Sequence, residues 1–124
     1  MAQKFVDERT ETLDQVVDAL GVVTNKAQVL DRLQAHLDTL QTFGVRQCGL
    51  FGSFVKDVAI HEQSDVDILV AFESEKKTFD NFMGLSFFLE ELLGRSVDLV
   101  TIESLSPHIG PHILHEVEYV SFNS

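Results

Sequence analysis

The sequence contains no tryptophan, one tyrosine, two prolines and a single cysteine, Cys48. One thiol cannot close an internal disulfide, which excludes a cross-linked secreted scaffold and makes the reducing cytoplasm the expected setting. No apolar run approaches the roughly 20 residues that span a bilayer. The opening stretch MAQKFVDERTETLD lacks the apolar core of a secretory signal. Basic residues are also scarce: nine Lys and Arg stand against twenty Asp and Glu, for a net charge of −11. A surface of that sign is repelled by phosphate backbones, which argues against direct nucleic-acid binding. It suits a basic protein partner, a site of carboxylates and divalent cations, or simply a soluble small protein. Repeats, low-complexity tracts and Pro/Gly-rich linkers are missing too. The 124 residues are therefore expected to form one domain, 1–124, around one core.

What is present reads as alternating helices and strands. Thr10 to Leu20 has helical apolar spacing and ends at Gly21. A second helix is expected from Asn25, a capping residue with Gln28 in capping-box position, through Val29, Leu30, Leu33, Leu37 and Leu40 to Gly44. Cys48–Phe51 reads as a strand ending in a tight Gly52-Ser53 turn, followed by a short helix over 53–58. Val66–Phe72 is a second strand. Thr78–Leu93 is a helix with Phe79, Phe82, Met83, Leu89, Leu92 and Leu93 expected on one side, and Val97–Ile102 is a third strand. Ser106-Pro107 looks like a helix start, with Gly110-Pro111 expected to interrupt the helix.

The chemistry lies where these strands end. Asp65 and Asp67 flank Val66, and strand residues two apart share one face. Asp98 sits one residue into the third strand. A strand–helix–strand crossover makes the second and third strands parallel if they are neighbours, which brings Asp98 beside the pair. At an effective dielectric near 20, carboxylates about 6 Å apart repel by roughly 2–3 kcal/mol per pair. Mg²⁺ relieves such crowding best, because it takes carboxylate and phosphate oxygens together. An Asp-x-Asp pair alone is as readily a turn cap and a solvated side chain. Here it is joined by Gly52 and Ser53. Glycine lets a phosphate approach the backbone, Ser53 adds a hydroxyl donor, and Lys56 lies one turn further on. Taken alone, Ser53 reads equally as an ordinary helix cap. A short connection makes the first two strands antiparallel, so the Gly52 end meets the Asp65 end.

The run GLFGSFVKDVAIHEQSDVDILV, followed by GRSVDLVT, resembles the nucleotidyltransferase superfamily that includes DNA polymerase beta, and is most similar to its small stand-alone minimal nucleotidyltransferases. The resemblance covers about residues 45–120. It implies an α/β (α+β) fold: a small mixed β-sheet flanked by helices, with residues 1–44 as extra N-terminal helices and 45–124 as the catalytic core. It also implies a site in which Asp65, Asp67 and Asp98 bind Mg²⁺ while Gly52, Ser53 and Lys56 hold the phosphates of ATP. Asp98 would also help deprotonate the attacking hydroxyl. Two features depart from the pattern. The spacer Phe54–Ser64 is one residue longer than is usual, and Lys56 stands where many relatives carry Arg. Members of this kind are often antitoxins of helical HEPN ribonuclease toxins, and some transfer AMP to a toxin tyrosine. The resemblance thus implies a hetero-oligomeric HEPN partner, with contact-only neutralisation by a binding module as the alternative. Two further patterns stand apart: His108, His112 and His115 at loosely zinc-like spacing, weighed here as exposed histidines, and the aromatics Phe79, Phe82, Phe87 and Phe88, read as mostly core with one or two rings facing a partner.

Overall fold

The structure, a computed structural model, describes residues 21–122. The expected Thr10–Leu20 helix lies outside the described residues. The described chain runs α1 (Lys26–Ala35), α2 (Leu37–Thr42), β1 (Val45–Phe51), α3 (Ser53–Lys56), β2 (Val66–Phe72), α4 (Phe79–Leu93), β3 (Val97–Thr101), a 3₁₀ turn (Ile102–Ser104), α5 (Gly110–Glu116) and β4 (Glu118–Tyr119). The strands form one mixed sheet in the order β3-β2-β1-β4. β1 pairs antiparallel with β2 and with β4, whereas β2 and β3 are parallel, as the crossover through α4 requires.

The sheet is covered on both faces. Val29, Leu33 and Leu40 from α1 and α2, and Leu85, Phe88, Leu89, Leu92 and Leu93 from α4, join Leu50, Ile68 and Val70 in the main core. The helices before β1 therefore pack on the sheet. A smaller cluster on the opposite face joins Phe51 and Leu69 to Ile113 of α5. Asp67 shares a face with Leu69, so α5 lies over the same side of β2 as the acidic residue.

Several expectations are corrected. The single helix expected over 25–44 is two: His36 leaves helical geometry at φ −124°, its ring meeting Phe88 edge-on at 6.0 Å. Asn25 does cap the first turn through Gln28 N–H, but the Gln28 side chain accepts from Thr24 rather than closing a box. On α4, Thr78 is the cap and Gly94 the left-handed stop. Phe79 is 76% exposed and Phe87 62%, while Phe88 is buried, so the core face begins later in the helix than its aromatics suggest. Ser106 caps a turn through Ile109 N–H, and Gly110-Pro111 opens α5 instead of interrupting it. Proline suits a first helical turn, where its missing N–H has no partner to lose. The third strand gives way to the 3₁₀ turn at Ile102. β4 was not anticipated, since two residues carry no periodicity.

Candidate active site

The sheet register brings the sequence-predicted residues together. Phe51 of β1 stands opposite Asp67 of β2, and Asp67 stands beside Asp98 of β3, forming one row across three strands. Gly52 follows directly after Phe51. It has φ 77° and ψ −149°, a conformation open essentially to glycine alone. A side chain would not fit there in any case, because a Cβ on Gly52 would run into the Asp67 carboxylate. The phosphate-type turn and the acidic strand end are thus in direct contact. Asp65, one residue before β2, is exposed, Asp67 is half-buried and Asp98 is exposed.

That gradient of burial has an electrostatic result. Burial pushes the Asp67 carboxyl up to about 6, reinforced by the negative charges of Asp98, Asp65 and Glu116. A divalent cation beside Asp67 would offset burial and repulsion together. Among the described residues no group of three or more His, Cys, Asp or Glu is placed so that it could hold a metal ion by itself. The neighbouring carboxylates of Asp67 and Asp98 would suit Mg²⁺, which is held by one or two carboxylates and completes its shell with water and substrate phosphates. His108, His112 and His115 are all exposed, and only the last two lie in α5.

Two residues that carry the site were not singled out in the sequence. Arg95 donates through Nε to Val23 O at 2.7 Å and through Nη1 to His61 O at 2.8 Å and Ser64 O at 3.0 Å, with its guanidinium 5.1 Å from the Phe54 ring centroid. One side chain thereby ties the long spacer to β3, and Phe54, fully buried, ties it to α3. The spacer turns through left-handed Asp57 and Ala59 before β2 begins. A polar cavity of about 340 Å³ opens beside Asp65, between the 62–65 and 94–96 loops. The second residue is Glu116. Its Oε2 accepts from Gly52 N–H at 2.8 Å, and its Oε1 lies 3.5 Å from Lys56 Nζ. The sequence signal for Arg95 is a base between the helix-ending Gly94 and the strand that carries Asp98. Glu116, 64 residues from Gly52, has none.

An anionic strand end thus meets a glycine-serine turn on a mixed sheet of this order. Residues 30–120 match the nucleotidyltransferase domain family, and the chain belongs to it. It is 49% identical over 89 residues to protein adenylyltransferase MntA of Thermococcus cleftensis, covering 71% of this chain and 88% of that protein. A solved structure assigned as a minimal nucleotidyltransferase superposes with a TM-score of 0.68 at 33% identity, covering 79% of this chain and 98% of that one. The fold also matches, at a TM-score of 0.52 and 19% identity, a complex of a tri-AMPylated Shewanella oneidensis HEPN toxin with its MNT antitoxin, over 73% of this chain and 70% of that one. The chain is thus a nucleotidyltransferase with the minimal fold. No helix among the described residues is long and apolar enough to cross a membrane.

Proposed function

We propose that this chain is a Mg²⁺-dependent protein adenylyltransferase that acts as an antitoxin, transferring AMP from ATP to a tyrosine of a cognate HEPN toxin. The observation that carries this reading is the contact between Gly52 and Asp67, which sets a phosphate-type turn against the inner carboxylate of an acidic row. Support comes also from the 49% identity to a protein named as a protein adenylyltransferase.

In this reading Asp65, Asp67 and Asp98 hold the metal, which when bound neutralises the triphosphate and the charge that develops at the α-phosphorus. Ser53 donates its hydroxyl to the terminal phosphates, and Lys56 supplies a compact positive charge one turn further on. Asp98, exposed at the edge of the row, accepts the proton of the incoming hydroxyl. The hydroxyl oxygen forms a bond to the α-phosphorus as the bond to the bridging oxygen breaks, and pyrophosphate leaves. Positioning and charge compensation carry nearly all the catalysis in such a transfer. The net charge of −11 favours a basic partner, as an RNA-cleaving protein would be.

Intact-mass spectrometry of a co-encoded helical toxin, after incubation with this protein and Mg-ATP, tests the reading. A gain of one or more AMP units, absent with Asp65→Asn/Asp67→Asn, is the expected result. An unchanged mass with the toxin still silenced would replace it with neutralisation by contact alone.

A further inference from the structure

Gly52 N–H, one of the groups expected to bind phosphate, is already donated within the chain. Its acceptor is Glu116 Oε2, at 2.8 Å, and the other oxygen of the same carboxylate faces Lys56 Nζ at 3.5 Å. One side chain thus holds both ends of α3. The carboxylate is also well fixed, with the Glu116 side chain 24% exposed. One turn before it, Ile113 is buried against Phe51 and Leu69, while directly after it Val117 packs on the same cluster. Glu118 and Tyr119 then pair with Leu50 and Gly49 of β1. Glu116 is therefore clamped on both sides by contacts to β1, which ends directly before Gly52, and to its neighbour β2.

We propose that Glu116 is a positioning residue of the phosphate turn. It holds Gly52 in its glycine-only conformation and keeps Lys56 at the far end of the turn, so that Ser53 sits at a fixed distance from Asp67. An N–H carries one hydrogen, so a phosphate does not use Gly52 N–H while Glu116 does. The grip on nucleotide then falls to Ser53 and Lys56, with the Gly52 bond setting where they stand. This rests on the reading of the site as one that takes Mg-ATP.

The test uses the full chain and two substitutions. Glu116→Gln keeps an oxygen acceptor for Gly52 N–H and loses the charge; Glu116→Ala loses both. Calorimetric titration with Mg-ATP is expected to give a Kd for Glu116→Gln within about threefold of the unsubstituted protein. Glu116→Ala is expected to bind about tenfold more weakly, the usual scale for losing a group that orients a binding residue. Amide hydrogen exchange of Gly52, measured by NMR without nucleotide, should be slow in the unsubstituted protein and in Glu116→Gln, and at least about tenfold faster in Glu116→Ala. Should Glu116→Ala not fold, Glu116→Asp, whose carboxylate is drawn back by one methylene, should show the same losses. Tight binding and slow Gly52 exchange in Glu116→Ala would overturn the proposal, as would a Glu116→Gln as impaired as Glu116→Ala. Failure of the unsubstituted protein to bind Mg-ATP would instead remove the adenylyltransferase reading. The exchange series would still decide whether Glu116 holds the turn.

Discussion

The two halves of the site are built differently. The carboxylate half stands on paired strands: Asp67 is locked between Phe51 and Asp98 by sheet register, with buried residues following it along β2. The phosphate half stands on a four-residue helix and a glycine in a conformation other residues avoid, held by one internal hydrogen bond to Glu116. The first is over-determined, since a shift of one residue would turn every side chain of β2 to the wrong face. The second depends on a few groups, each replaceable only at a cost. The difference shows that rigidity at such a site need not be uniform. The acidic row is fixed by the backbone, and the glycine turn beside it is fixed by side chains.

The largest effect should come from the rigid half. Asp67→Asn should lower AMP transfer on the order of 10³-fold, the scale on which removal of a charge-organising group acts, while the fold survives; comparison of initial rates with circular dichroism checks both. Next is Gly52→Ala, which should damage both halves at once, because the new methyl meets the Asp67 carboxylate. The backbone strain alone should cost about 1–3 kcal/mol, read as a lower urea midpoint. Arg95→Ala releases the spacer, the segment before β2 and the ring of Phe54 together. A loss of about 2–3 kcal/mol is expected, with Arg95→Lys recovering only part of it, because an ammonium cannot reach several carbonyls in a planar fork.

The smallest effect is one of pH. Asp67 is raised from 3.8 to about 6 by burial and by the neighbouring carboxylates. Its folded form therefore takes up a proton between pH 6 and pH 4 that the unfolded chain does not, and in that window stability falls as pH rises. In metal-free protein, the melting temperature should accordingly rise as pH is lowered from 7 to 5 by more than it does in Asp67→Asn. Affinity for divalent cation should change in the opposite direction, weakening as pH falls through about 6, because the proton competes for the same oxygens. Equal pH profiles for the two proteins would remove the electrostatic account of Asp67.

Most of the carboxylate half was legible in the sequence. Asp67 and Asp98 lie on strands whose β-branched and apolar runs announce themselves, with Asp65 directly before the first of them, and the α4 crossover fixes their parallel order. The bounds of β2 were readable to the residue because a continuous, β-branched apolar run stands between polar flanks. The phosphate half was legible only in part. Gly52 and Ser53 stand out as a turn, but Glu116 reaches them through tertiary packing of Ile113 that no local pattern encodes. The errors elsewhere share this origin. His36 breaks a helix that has no proline or glycine at that point, and its ring packs edge-on against Phe88. Of the α4 aromatics, Phe88 is buried and Phe82 packs against the core, while Phe79 and Phe87 face outward.

The bond between Gly52 and Glu116 also carries a consequence for how the protein is made. The two residues are 64 positions apart, and ribosomes add roughly 5–20 residues per second, so the turn emerges some 3–13 seconds before the carboxylate that fixes it. During that interval β1 also lacks β4, and its outer edge is open to other chains. Both gaps close together, when residues 116–119 arrive and seat on the same strand. The same few residues that fix the turn also seal the sheet, so a held turn and a covered edge arrive together.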